Sequence, residues 1–124
     1  MSESASRLRQ ELFRTHAAMA RTLRTLQARS PMVQGSFYLL RRKCGKPNCR
    51  CSQGELHPAW VLTRSEAGKA KLYSIPAAQR TILRQLAREY RRWQLGRARL
   101  AKQSAALLSL SDQLAELRLQ RWPR

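Results

Sequence analysis

Apolar side chains recur at helical spacing near the start of the chain, where polar and basic residues fill the intervening positions. The repeat consists of Ala5, Leu12, Met19 and Leu26. A seven-residue apolar repeat is typical of a coiled-coil-like helix. We therefore predict a helix over residues 5–29, which ends at Ser30-Pro31 because the residue before a proline disfavours helical geometry.

A second stripe with the same spacing occupies the C-terminal part. It consists of Leu86, Trp93, Leu100, Leu107 and Leu114. The stripe predicts one helix from about residue 77 to about residue 119, with a weak point at Gly96, where glycine costs about 1 kcal/mol relative to alanine. The two stripes allow two arrangements: an antiparallel hairpin within one chain, or a homodimer through residues 103–119.

Between the helices, three short apolar and aromatic segments are separated by turn residues. These segments predict strands at residues 35–43, 59–64 and 69–75. The expected fold class is α+β, with an N-terminal helix, a small three-stranded antiparallel sheet carrying a Cys-rich, zinc-knuckle-like loop, and a long C-terminal helix with a coiled-coil-like stripe. The predicted parts of this single domain are residues 1–34, 35–76 and 77–124.

The second and third strands are predicted to be joined by a four-residue loop from Ser65 to Gly68, with Gly68 at positive φ. This register pairs Arg64 with Lys69, Leu62 with Lys71, and Trp60 with Tyr73. One face of the sheet is then basic and aromatic, and the other is small and apolar; a slip of one residue would undo this. The basic and aromatic face either contacts nucleic acid or packs its rings under a flanking helix.

Charge is the most unusual property of the chain. It contains 25 Lys and Arg residues against seven Asp and Glu residues, which gives a formal net charge of +18. In a compact state these positive charges repel one another, so the excess favours binding to a polyanion. Twenty of the basic residues are arginine, whose planar fork suits phosphate oxygens and guanine edges. Nucleic acid is therefore the expected partner.

The second predicted helix carries basic residues at four-residue spacing. Like charges at this spacing destabilise an isolated helix, so the row indicates an external counter-charge; a solvated face is the alternative. Together with the sheet face, the candidate nucleic-acid-binding residues are Trp60, Arg64, Lys69, Lys71, Tyr73, Arg80, Arg84, Arg88, Arg91 and Arg92.

All three cysteines and one of the two histidines lie in the segment "CGKPNCRCSQGELH", residues 44–57. The candidate ligands are Cys44, Cys49, Cys51 and His57. Three cysteines and a histidine are a common structural zinc set. Because the loop has almost no apolar side chains of its own, one zinc ion per chain would be its natural stabiliser. A redox or iron–sulfur role and cysteines without metal remain alternatives.

The segment "CGKPNCRC", followed by a glycine, His57-Pro58, an aromatic strand and "YRRW", resembles a widespread family of small uncharacterised bacterial and archaeal proteins with a domain of unknown function. The resemblance covers about residues 35–95. Members are often encoded beside transposases, which implies a mobile-element or DNA-transaction context. The family usually has a glycine between this histidine and the proline, so His57 is a weaker ligand candidate than the cysteines.

Several function classes find no support in the sequence. It shows no carboxylate pair beside the cysteines, no phosphate-cradling glycine motif and no nucleophile next to a base, so we expect no enzyme. The start "MSESAS" lacks the features of a signal peptide. No apolar stretch is long enough for a membrane span. The clustering of the cysteines favours a cytoplasmic location.

The sequence therefore predicts a non-enzymatic, zinc-stabilised nucleic-acid-binding protein. DNA is favoured over RNA, and a DNA-binding accessory or regulator linked to a mobile element is the leading interpretation. The alternatives are an RNA- or ribonucleoprotein-binding protein and a scaffold that binds an acidic protein partner. A homodimer through the C-terminal helix is a further possibility, and no membrane partner is expected.

Overall fold

The computed structural model of the protein describes residues 2–43, 45–49, 54 and 56–122. The described elements, in chain order, are α1 (Ser2–Leu26), β1 (Ser36–Arg42), β2 (His57–Glu66), β3 (Lys69–Ser74) and α2 (Arg80–Arg118), with a 3₁₀ turn at Ala77–Gln79 before α2. The predicted α+β class is confirmed. Most of the Cys-rich loop lies outside the described residues. Neither described helix is long and apolar enough to cross a membrane.

The three strands form one antiparallel sheet in the order β1-β2-β3. The observed pairs between β2 and β3 are Glu66 with Lys69, Arg64 with Lys71, and Leu62 with Tyr73. The predicted register is therefore wrong by two residues. The loop consists of Ala67 and Gly68 alone, both at positive φ (52° and 79°), as a two-residue type I′ hairpin turn requires.

An error of two residues leaves each side chain on its predicted face, because side chains alternate with a period of two. Trp60, Leu62 and Arg64 of β2 therefore share a face with Lys71 and Tyr73 of β3, as expected. Because side chains alternate along β2 and β3, one face of these strands is basic and aromatic and the other is small and apolar, as the sequence predicted.

Residues 30–92 form one compact unit, built from the sheet and the first part of α2. Its small core contains Leu62, Ile75 and Ala87, against which Val33, Phe37 and Leu83 pack. Leu62 and Phe37 are directly paired across β2 and β1, and Leu83 and Ala87 lie one turn apart on α2. The basic and aromatic face of the sheet is thus the face that α2 covers.

Residues 1–29 and 93–124 form the second compact unit, in which α1 lies antiparallel to the second part of α2. At one end, a Cβ atom at Gly96 would lie 3.1 Å from Leu26 Cδ2. At the other end, Leu12 of α1 lines one groove with Leu107 of α2. The stripes therefore pair within one chain, as one of the two predicted arrangements proposed.

Gly96 does not interrupt α2, contrary to its expected role as a weak point. The helix runs without a break from Arg80 to Arg118. Gly96 is buried against Leu26 and Thr25 of α1. The glycine therefore permits a close approach of two helices, and this contact offsets its low helix propensity.

Candidate functional site

Two aromatic rings and one arginine form a stacked group on the face of the sheet that α2 covers. The rings of Phe37 and Trp60 lie parallel within 9°, with their centres 5.2 Å apart. The guanidinium carbon of Arg84 lies 4.8 Å from the centre of the Trp60 ring and 5.7 Å from that of Phe37. Such contacts attract the cation to the negative faces of the rings. Neighbouring strands therefore hold a side chain of α2 in place.

This stack forms one side of a cleft of about 390 Å³. We call it the arginine cleft; its lining residues are Gly35, Ser36, Phe37, Trp60, Arg84, Ala87, Arg88 and Arg91. The three arginines belong to successive turns of α2, and no acidic residue among those that the structure describes lines the cleft. None of the three forms an ion pair with another described residue. Their positive charge is therefore uncompensated within this part of the chain.

A second group of charged residues surrounds Glu66 near the turn between β2 and β3. The Glu66 carboxylate accepts hydrogen bonds from Tyr73 Oη at 2.6 Å and from Arg64 Nε at 3.0 Å. Lys71 Nζ lies 3.7 Å from the same carboxylate, and the Arg64 guanidinium lies 5.2 Å from the centre of the Tyr73 ring. We call these four residues the Glu66 cluster.

Hydrogen bonding within the Glu66 cluster shifts three pKa values. The Tyr73 hydroxyl, assisted by Arg64, holds the pKa of Glu66 below its ordinary value. The bond to Glu66 raises the pKa of Tyr73 and also that of Arg64. A carboxylate that accepts several donors favours its charged form. The cluster therefore keeps Glu66 ionised and Tyr73 protonated over a wide pH range.

The candidate nucleic-acid-binding residues thus fall into groups with different surroundings. Arg64, Lys71 and Tyr73 meet an internal counter-charge on Glu66, whereas Arg84, Arg88 and Arg91 meet none among the described residues. Trp60 lies between these groups, because its ring contacts Phe37 of β1 and Arg84 of α2. Three candidates remain. Lys69 is exposed opposite Glu66, and Arg92 is exposed on α2. Arg80 is half-buried, and its Nε has no hydrogen-bond partner among the described residues.

Sequence reasoning missed two residues that matter here, Phe37 and Glu66. Phe37 belongs to a predicted strand, and its ring stacks on Trp60 from the neighbouring strand. Glu66 belongs to the predicted four-residue loop. A two-residue turn at Ala67 and Gly68 places Glu66 opposite Lys69 instead. The sequence carried no clear signal for this turn, because alanine rarely adopts a positive φ.

The structure brings two of the four predicted metal ligands together. Cys49 Sγ and His57 Nε2 lie 2.7 Å apart, and His57 is the first residue of β2. Cys44 and Cys51 lie outside the described residues. In the part of the chain that is described, no group of three or more His, Cys, Asp or Glu side chains is arranged to hold a metal ion.

A family model described as a domain of unknown function, DUF6788, matches residues 6–85. The chain belongs to the DUF6788 family. No curated protein and no solved structure matches the chain. The DUF6788 match begins within α1 rather than at Gly35, where the resemblance was expected to start, and it ends within the first part of α2. The family unit therefore includes α1, the sheet and Arg84 of the arginine cleft.

Proposed function

We propose that the protein binds nucleic acid through the arginine cleft, without catalysing a reaction. The observation that carries the proposal is the set of three arginines, Arg84, Arg88 and Arg91, which share one cleft that no described acidic residue lines. In a chain of net charge +18, such a group is repulsive unless a polyanion neutralises it. Phosphate groups supply that charge.

The stacking of Arg84 suits it to phosphate binding. A guanidinium that lies against a ring keeps its in-plane N–H groups available, and these form the fork that matches two phosphate oxygens. Phe37 and Trp60 restrict the side chain, so less conformational entropy is lost when phosphate binds. Trp60 thus acts as a positioning residue for Arg84.

The same stack favours contacts to the phosphate backbone over stacking on unpaired bases. Phe37 and Arg84 both lie against the Trp60 ring, whereas single-strand binding proteins present rings on which bases stack. We therefore propose duplex DNA as the preferred ligand, ahead of RNA or an acidic protein partner. A cytoplasmic accessory or regulatory role linked to a mobile element completes this proposal.

We also propose that one zinc ion per chain stabilises the Cys-rich loop. The donors would be Cys44, Cys49, Cys51 and His57, a common structural set for zinc. The proximity of Cys49 and His57 supports this, since the pair joins the loop to the start of β2. The metal would have a structural role, because four protein ligands leave no position open for a substrate.

The decisive experiment measures binding of the full chain to a labelled DNA duplex over a range of salt concentrations. The logarithm of the binding constant should fall linearly with the logarithm of salt concentration, and each lost phosphate contact should reduce the slope by about 0.9. Arg88→Gln and Arg91→Gln should each produce this reduction. Arg24→Gln, which removes the same charge from α1, is the matched control and should leave the slope nearly unchanged.

Two outcomes would contradict the proposal. A binding constant that does not depend on salt would exclude a phosphate-dominated interface. Equal effects of Arg24→Gln and Arg88→Gln would show that the overall charge, not the arginine cleft, drives binding. Competition with an RNA duplex tests the preference for DNA, and crosslinking in cells followed by sequencing of the bound nucleic acid tests the link to a mobile element.

A further inference from the structure

The helical hairpin of α1 and the second part of α2 exposes apolar side chains on a surface unrelated to the arginine cleft. Leu12, Phe13, Leu107 and Leu108 line one groove between the two helices. Phe13 is 74% exposed and Leu108 is 64% exposed. Among the described residues of this hairpin, no large hydrophobic side chain is fully buried. Two helices alone therefore do not enclose a core.

We propose that a second copy of this chain covers the groove, so that two hairpins form a four-helix arrangement. In a contact with two-fold symmetry, a protruding side chain of one copy meets the same surface on the other. Phe13 and Leu108 supply both the protruding groups and the groove walls. Each copy would therefore bury the apolar side chains that its own hairpin leaves exposed.

The charge pattern favours a second copy over an acidic partner or nucleic acid at this surface. Residues 103–117 contain no lysine or arginine, although the whole chain carries 25. This segment also carries Asp112 and Glu116, which form no ion pair among the described residues. On α1, Arg9 and Arg14 are likewise without an ion pair there. Arg9 is itself part of the groove lining, so two copies bring the basic side chains of α1 to the acidic side chains of α2 around a largely apolar groove.

The test is the mass of the full chain by light scattering at micromolar concentration. The expected value is twice the 14.3 kDa of one chain. Phe13→Glu and Leu108→Glu should each raise the dissociation constant of the dimer by about 30-fold or more, because they place a charge at the centre of an apolar contact. Ile82→Glu is the matched control, since Ile82 is 61% exposed but lies on the first part of α2.

A wild-type mass of 14.3 kDa at high micromolar concentration would overturn the proposal, as would dissociation caused equally by Ile82→Glu. Circular dichroism of the variants checks that the helices still form. The dimer proposal stands apart from the proposed nucleic-acid binding: Arg88→Gln should change the salt slope without changing the mass, and Phe13→Glu should change the mass while the cleft still binds DNA.

Discussion

The guanidinium of Arg84 lies over the ring of Trp60, 4.8 Å from its centre. This contact and the stack with Phe37 predict that Trp60→Ala lowers the free energy of unfolding by about 2–3 kcal/mol, since it removes an aromatic pair and a cation–π contact. Trp60→Phe should lose less than half as much. Urea denaturation monitored by circular dichroism measures both values.

The same two residues should affect DNA binding in different ways. Arg84→Gln removes a charge, so the salt slope should fall by about 0.9. Trp60→Ala keeps the charge of Arg84 but removes its support; the affinity should fall several-fold while the slope stays the same. If both variants changed the slope equally, Trp60 would not act through the position of Arg84.

The Glu66 cluster should make stability depend on pH at two ends of the scale. The folded-state pKa of Glu66 lies below its ordinary value of 4.5, so its contribution is present above about pH 4.5 and is lost as pH falls through the lowered pKa. The folded-state pKa of Tyr73 lies above 10.0, so its contribution is present below pH 10 and is lost as pH rises through the raised pKa.

Substitution of Glu66 should remove part of this pH dependence. In Glu66→Gln, the loss of stability between about pH 5 and pH 2 should be shallower than in the wild type, because this carboxylate no longer titrates. Glu116→Gln is the matched control, since Glu116 is exposed and forms no ion pair among the described residues. If the free energy of unfolding fell equally with decreasing pH in the wild type and in Glu66→Gln, the role assigned to the cluster would be wrong.

The contact between Gly96 and Leu26 predicts a coupling between two substitutions. Gly96→Ala in a helix interior normally stabilises by about 1 kcal/mol. Here the new Cβ would lie 3.1 Å from Leu26 Cδ2, so we expect little or no gain. In a Leu26→Ala background the obstruction is absent and the full gain of about 1 kcal/mol should appear.

A double-mutant cycle of thermal or urea unfolding measures this coupling. Ala98→Gly provides a reference for helix propensity, because Ala98 is exposed on the same helix. A full gain from Gly96→Ala in the wild-type background would show that α1 does not approach α2 closely at this position.

The proximity of Cys49 and His57 predicts that both contribute to a metal site. Native mass spectrometry of the wild type should show one zinc ion per chain, and Cys49→Ser or His57→Gln should abolish or greatly weaken its retention. His16→Gln is the matched control, since it removes the other histidine, which lies on α1. A wild-type protein that carries no metal and still unfolds cooperatively would contradict the prediction.

Periodicity was sufficient to predict the helices and strands. The seven-residue stripes located α1 and α2, and two residues of the first stripe, Leu12 and Leu26, lie beside Leu107 and Gly96 of α2. The register between β2 and β3 was wrong because Ala67 adopts a positive φ, which alanine rarely does. The sequence predicts a positive φ for Gly68 alone, so the predicted loop is two residues longer than the observed one.

The candidate site was predicted only in part, because contacts between distant residues decide its character. The basic residues were identified by type and spacing, yet the sequence did not reveal that Glu66 accepts bonds from Arg64 and Tyr73. Nor did it show that Phe37 and Trp60 stack under Arg84. These contacts depend on the strand register and on how α2 crosses the sheet, which short-range patterns do not encode.

Glu66 has a consequence for selectivity. Its carboxylate offers oxygen atoms to the Arg64 guanidinium and the Lys71 ammonium, as a phosphate group would. It is tethered to the same hairpin, so its effective concentration at these donors far exceeds that of any nucleic acid in solution. Glu66 thus acts as an internal competitor. On the proposed function, a polyanion at the hairpin would have to displace this tethered carboxylate, whereas at the arginine cleft no described carboxylate would compete with it.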